Sequence, residues 1–420
     1  MITFYIAKSA ARQYNVVIIK SEVFDMLQKP NAKTHTDLWC IHSYYTLSPY
    51  APDGSGRLLF AGCDLETGKG RVCIADKEGN ILDSFGENEI SSSFFHTGYW
   101  QTWSPDVKKV YYQGGTNTHP KIICRTLETG EERIMDGDME GAPPFGEPIT
   151  SGLMGMLYAA GYGDGVYAPE KAPVPFQARD KHGLFRFSPS TGESKLALSV
   201  AEVLEAHPDR DRLMRTDRDI KRLYGENDGL TLMCYCLRWS AKGNRFVFYF
   251  GNHTVGNIRK EPKIGYVFTA DKDLKDIHMA VDLSFGRRGA HWSMHPDGVR
   301  LVGYGPSKDD PSHPALSMVN YDGTDYHNFS SHDSCGHPSI CPGDYNIAVT
   351  DEHGRVLLID VRTGKEIDSY ELPWKNVDEP PYGRSRFRVC HHPVFSADGT
   401  RFLCNTLPGK NAQLVEFKLK

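Results

Sequence analysis

Three histidines fall at one position of a repeated phrase. His291, His337 and His392 each stand five residues before a turn residue, respectively Pro296, Pro342 and Ala397. Three imidazoles at matched positions fit a divalent metal site, with Zn²⁺ or Mn²⁺ favoured over Ca²⁺ because imidazole suits them. Cys335 and Cys390 each lie two residues before such a histidine, and strand alternation puts i and i+2 on one face, so a thiolate could join. The competing reading is histidines that cap strands by bonding backbone carbonyls, with the cysteines as small core fillers. A second polar set runs through the first half of the chain. His96 and Trp100 sit in FFHTGYWQTW, His119 in QGGTNTHP, Tyr162 in YAAGYGDG and Arg179 in QARDKHG. His42, in CIHSYYTLSP, and Arg238, in LRWSAKG, complete the candidates; a buried Arg238 would call for a carboxylate partner.

Residues so far apart need a scaffold that brings them together. One phrase recurs: an apolar strand, a Pro/Ala-Asp-Gly-type turn, another apolar strand. It reads SPYAPDGSGRLLFAG at 48–62, WQTWSPDVKKVYYQG at 100–114, LRWSAKGNRFVFYFG at 237–251, HWSMHPDGVRLVGYG at 291–305, HPSICPGDYNIAVTD at 337–351 and HPVFSADGTRFLCNT at 392–406. The gap of 136 residues between Pro105 and Ala241 leaves room for one degenerate copy near 148–190, which makes seven units. A second turn follows each third strand-like run: DLETGKG at 64–70, TLETGEE at 127–133, SPSTGES at 188–194 and DVRTGKE at 360–366. Four short strands per unit, repeated seven times, predict an all-β, seven-bladed β-propeller over residues 1–420 as a single domain. The one helical stretch, 198–224, is charged, interrupted by Pro208, and reads as an insertion before blade 4.

Composition narrows the function classes. The 420 residues carry a formal net charge of −5, which gives no electrostatic footprint for nucleic acid or an anionic membrane. No apolar run is long enough to span a bilayer. The ten cysteines lie mostly in apolar strand-like runs and read as buried free thiols rather than a disulfide framework. The N-terminal stretch lacks a signal-peptide pattern, which points to the cytoplasm, while the sequons at Asn252 and Asn328 leave a secreted mature chain open. No GxSxG, P-loop or GxGxxG accompanies a strand–helix unit, and no carboxylate pair stands out for glycoside hydrolysis.

The phrases HSYYTLSPYAPDG, GHPSICPGD and HHPVFSADG resemble the seven-bladed propeller polysaccharide lyases, a group of oligogalacturonate, ulvan and rhamnose–glucuronate lyases. The likeness runs over most of the chain at the level of repeats. It implies a metal held by inner-strand histidines of the last blades, which His291, His337 and His392 resemble. It also implies an ordered catalytic set of His, His, Tyr and Arg; His96, His119, Tyr162 and Arg179 follow that order with spacings of 23, 43 and 17. Tyr158 or Tyr167 could replace Tyr162, and Arg186 could replace Arg179. The implied reaction is β-elimination at a uronate of an oligo- or polysaccharide. Arginine neutralises the carboxylate bidentately, and histidine or tyrosine removes the α-proton and protonates the leaving oxygen. His42, Trp100 and Arg238 are the expected substrate-binding residues. Two alternatives stand beside it: a rhamnosidase-like propeller hydrolase working through His42, and a non-catalytic interaction propeller.

Overall fold

A propeller blade is covered on both faces by its neighbours, so its middle strands must be apolar on both sides. Arg245–Gly251 (RFVFYFG) is buried at every position, and Leu58–Asp64 (LLFAGCD) at all but its last. The outermost strands lose one cover: Ile81–Glu89 is mostly exposed. Burying each of these large apolar side chains is worth about 1.5–3 kcal/mol.

The computed structural model describes residues 26–90, 94–116, 119–152, 172–253, 261–376 and 387–420. They form a seven-bladed β-propeller. Blade 1 runs from Trp39 to Glu89, blade 2 from Thr102 to Asp136, blade 3 from Ile149 to Ser199 and blade 4 from Met233 to Asp282. Blade 5 spans Ala290–Ser330 and blade 6 Ser339–Glu371. Blade 7 takes three strands from Val394–Lys418 and its fourth from the other end of the chain, Asn31–Ala32. Among the described residues six blades have four antiparallel strands and blade 3 has three. The ring closes where Asn31 and Ala32 pair with Glu416 and Val415. The buried Glu416 carboxylate clamps this seam, 3.2 Å from Lys33 Nζ and accepting a 3.0 Å hydrogen bond from the Tyr50 hydroxyl.

The helical insertion lies where the sequence puts it. Helix α1 is a short turn, Phe94–Thr97, between blades 1 and 2; α2 is Val200–Glu205 and α3 Arg210–Tyr224. Ser199 caps α2 in a reciprocal box with Glu202. Leu213 and Ile220 of α3 pack on the blade 4 core. None of the ten cysteines is in a disulfide, and seven of them are buried. The Asn252 side chain is fully buried, donating to Glu261 and Pro262 and accepting from the Ile264 N–H, and Asn328 donates to Ser317 Oγ. The fully buried Asn252 has no room for a glycan in this fold. Among the described residues no helix is long and apolar enough to cross a membrane.

The innermost strands carry the feature that builds the site. Trp100, Cys236, His291 and His392, each five residues before its turn residue, all have positive φ (48–57°). The pairing register slips at two of them, between Tyr235 and Arg238 and between Ala290 and Ser293. Such bulges re-aim a side chain out of the pleat. A non-glycine residue in this conformation is held there by its surroundings at a cost of about 1–3 kcal/mol.

Candidate functional site

Four imidazoles line up where the inner strands begin. The ring centroids of His291 and His337 are 4.1 Å apart, those of His337 and His392 4.2 Å, and those of His392 and His96 4.6 Å. Each of the first three has its Nδ1 anchored. His291 Nδ1 lies 2.8 Å from the carbonyls of both Cys335 and Gly336. His337 Nδ1 lies 3.0 Å from a carboxylate oxygen of Asp351, and His392 Nδ1 3.2 Å from the Ser43 carbonyl. A carbonyl can only accept, so Nδ1 carries the proton in His291 and His392 and Nε2 keeps its lone pair. Nε2 of both His337 and His392 is buried with no hydrogen-bond partner among the described residues.

That arrangement fits a metal. Imidazole ligands bind with one nitrogen while the other donates to a carbonyl or carboxylate, and the ligand must be neutral. Burial pushes the pKa of His291 and of His392 well below the ordinary value, and the His337 ring adds to the effect on both. The common brace is Asp351. Its buried carboxylate accepts from the backbone N–H of His337 (2.6 Å), His391 (3.0 Å) and His392 (3.3 Å) as well as from the His337 ring. Burial alone would raise the Asp351 pKa, but the facing His337, His391 and His392 hold it far below the usual carboxylate range. Among the described residues, the one group of three donors whose ligand atoms all lie within 4.8 Å of one another is His96, Cys390 and His392.

Beside the row sits a buried cation. Arg238 is only 4% exposed. It donates to the hydroxyls of Tyr45 (3.1 Å) and Tyr44 (3.3 Å) and to the Trp292 carbonyl. The expected carboxylate partner is replaced by these oxygens and by the ring faces of Tyr44, Tyr45 and Tyr249, 5.2–5.4 Å away. Tyr44 is the hub: its ring lies 4.9 Å from His392, 5.6 Å from His96 and His337, and 5.5 Å from Trp100. Glu140, also buried, accepts from the N–H groups of Leu237 (2.5 Å) and Cys236 (3.2 Å) and so caps the blade 4 bulge. Burial raises its pKa to about 8, against the pull of those N–H groups and of Arg238.

The expected site residues therefore divide. His291, His337 and His392 converge, and His96, Trp100 and Arg238 join them. His42 is adjacent, 6.4 Å from the His392 ring and 1% exposed; burial lowers its pKa to about 4, and neither ring nitrogen has a hydrogen-bond partner among the described residues. His119 lies in the exposed turn after strand Lys109–Gly115, its backbone bonded to Thr116. Antiparallel alternation puts that turn on the same side of the ring as the imidazole row. Arg179 is bound elsewhere: its guanidinium pairs with Asp217 of α3 (2.5 Å) and donates to the Leu230 carbonyl (3.1 Å). Arg186 donates to the Lys272 carbonyl. Tyr162, Tyr158 and Tyr167 lie outside the described residues. Sequence reasoning missed Asp351, Glu140 and the hub role of Tyr44, although Tyr44 and Tyr45 stand two and three residues after His42.

The molecule is thus a seven-bladed propeller with an imidazole row braced by one carboxylate. No family model and no curated protein matches the sequence. Among solved structures the chain is similar to an oligogalacturonate lyase from Vibrio parahaemolyticus, at 13% identity over 94% of this chain and 97% of that one, with a TM-score of 0.59. It is also similar to an oligogalacturonate lyase in complex with manganese, at 15% identity, the same two coverages and a TM-score of 0.58. At that identity the likeness is one of fold.

Proposed function

We propose that this chain is a metal-dependent polysaccharide lyase. It would cleave a glycosidic bond to a uronate, such as rhamnose–glucuronate, by β-elimination and leave an unsaturated uronate. The observation that carries the reading is the row of anchored imidazoles, with His291 and His392 held neutral by burial, beside a buried arginine. Elimination needs a base that is unprotonated at neutral pH and fixed positive charge near the substrate carboxylate. A bound divalent ion would supply part of that charge; His392, with its buried unpartnered Nε2, is the best-fitted ligand, and His291 and His337 stand next in the row. Arg238 fixes the Tyr44 and Tyr45 hydroxyls and places one positive charge beside the row. His96, His119 and Tyr162 are the candidates for base and acid. Arg179 enters as a carboxylate-binding residue only by releasing Asp217, so Arg238 is the nearer cation for that role. The near-complete burial of His42 weighs against a hydrolase that uses it as a catalytic group.

The test is near-ultraviolet absorbance of the purified chain acting on gum arabic, ulvan and pectin fragments. Growth of the unsaturated-uronate band supports the reading. New reducing ends without that band would overturn it in favour of hydrolysis.

A further inference from the structure

We infer that the metal site of this chain is a mixed nitrogen–sulfur one, held by His96, Cys390 and His392, and that its thiolate selects zinc over manganese. The inference rests on the metal part of the reading above and not on the lyase chemistry.

The geometry points to these three residues independently of the repeat alignment. Their ligand atoms all lie within 4.8 Å of one another. Ligand atoms about 2.0–2.3 Å from a tetrahedral zinc stand roughly 3.5 Å apart, so rotamer adjustments of about 1 Å close the site. His392 is fixed on every side. Its ring is fully buried, its Nδ1 faces the Ser43 carbonyl, its N–H is 3.3 Å from Asp351, and its Nε2 has no hydrogen-bond partner among the described residues. Its backbone is in the left-handed region at φ 48°. That conformation is sparsely populated for a histidine and is stored preferentially where a side chain must be aimed. Cys390 is half-buried, and its carbonyl accepts from Asn405 Nδ2 at 3.2 Å, which pins the backbone two residues before His392. His96 comes from α1, a different element, is 4% exposed, and brings its ring to 4.6 Å from His392.

Two imidazoles and one thiolate with a fourth position open is a zinc-type donor set. Thiolate is a soft ligand that favours zinc, whereas manganese prefers oxygen donors. His96 then leaves the list of base and acid candidates, and His337 stands next in the row, its ring 4.2 Å from that of His392.

The experiment uses the full chain, stripped with chelator and titrated with Co²⁺. The expected result is a near-ultraviolet sulfur-to-cobalt charge-transfer band that is displaced by Zn²⁺ and not by equal Mn²⁺. Cys390→Ser should remove the band and weaken zinc binding by more than about 100-fold, whereas Cys335→Ser should keep both. The wild-type spectrum decides the matter even if the variant fails to fold. Cobalt bound without the sulfur band, no cobalt bound, or manganese competing equally would each overturn the inference. Cobalt bound without that band would leave the lyase reading standing. A sulfur band with no unsaturated product from any uronate glycan would support the inference and sink the lyase.

Discussion

Removing the Asp351 carboxylate should loosen the last two blades and the site together. Asp351→Ala leaves three backbone N–H groups, those of His337, His391 and His392, without their acceptor in a buried setting, and frees the His337 ring. A buried donor left unpaired costs about 1–3 kcal/mol, and breaking a buried charged pair about 3–5 kcal/mol. Some of these groups will find water, so we expect a loss on the order of 4 kcal/mol. At an m-value of about 3 kcal/mol/M that moves the urea midpoint down by roughly 1 M or more. Asp351→Asn keeps one acceptor oxygen and should lose about half as much. The sign with pH follows from the depressed pKa. Stability contributed by the carboxylate is fully present above the unfolded value near pH 4 and disappears as pH falls through the folded value. The gap between wild type and Asp351→Ala should therefore be level from neutral pH to about pH 4 and shrink below it. Urea melts at several pH values measure this directly. An alanine variant within about 1 kcal/mol of wild type at pH 7 would refute the brace.

Three further outcomes are expected. Glu140 ionises near pH 8 folded and near the ordinary carboxylate value unfolded, so wild-type stability should decline between about pH 4.5 and pH 8 by on the order of 4 kcal/mol. Glu140→Gln should flatten that slope, and a slope unchanged in denaturant melts would show that another group sets it. Val107 fills the turn position that is glycine in PDG at 296–298 and in ADG at 397–399, and it pays for this with φ 55°. Val107→Gly should raise the unfolding free energy by about 1 kcal/mol despite some lost packing, and a lower melting temperature would contradict the strain argument. Arg179→Ala should cost about 2–4 kcal/mol, because Asp217 is 2% exposed and keeps only Lys221, at 3.3 Å, as a cationic partner. If its kcat/KM on a uronate glycan also falls more than about 100-fold, Arg179 binds substrate as well as anchoring the helix.

The ring was legible because its turns are chemically forced. Gly298 and Gly399 sit at φ 74° and 71°, and Asp297 and Asp398 accept the following N–H groups, so each blade must spell nearly the same turn. Counting back five residues from those turns reaches the start of each innermost strand, which is why alignment alone gathered His291, His337 and His392. The pairing of Arg179 was not legible, because order along the chain says nothing about partners. Asp217 is 38 residues away in a helix, and only the docked helix shows where the guanidinium goes.

Asp351 could not be found by counting along the repeats. The last position of the six quoted phrases is Gly62, Gly114, Gly251, Gly305, Asp351 and Thr406. The strand ladders show that these are not one position: Val247, Val302 and Val349 each face the residue three before the turn residue, so Gly305 matches Phe250 in blade 4 and Glu352 in blade 6, while Asp351 matches Tyr249 and Tyr304. Gly336 makes the room beside Asp351: a Cβ there would come within 1.8 Å of the Asp351 carbonyl. A repeat protein keeps most positions alike because every blade packs against the next. A charged residue at a position that is tyrosine in blades 4 and 5 must therefore bring its own partners, and here those partners are the backbone and ring of the imidazole row.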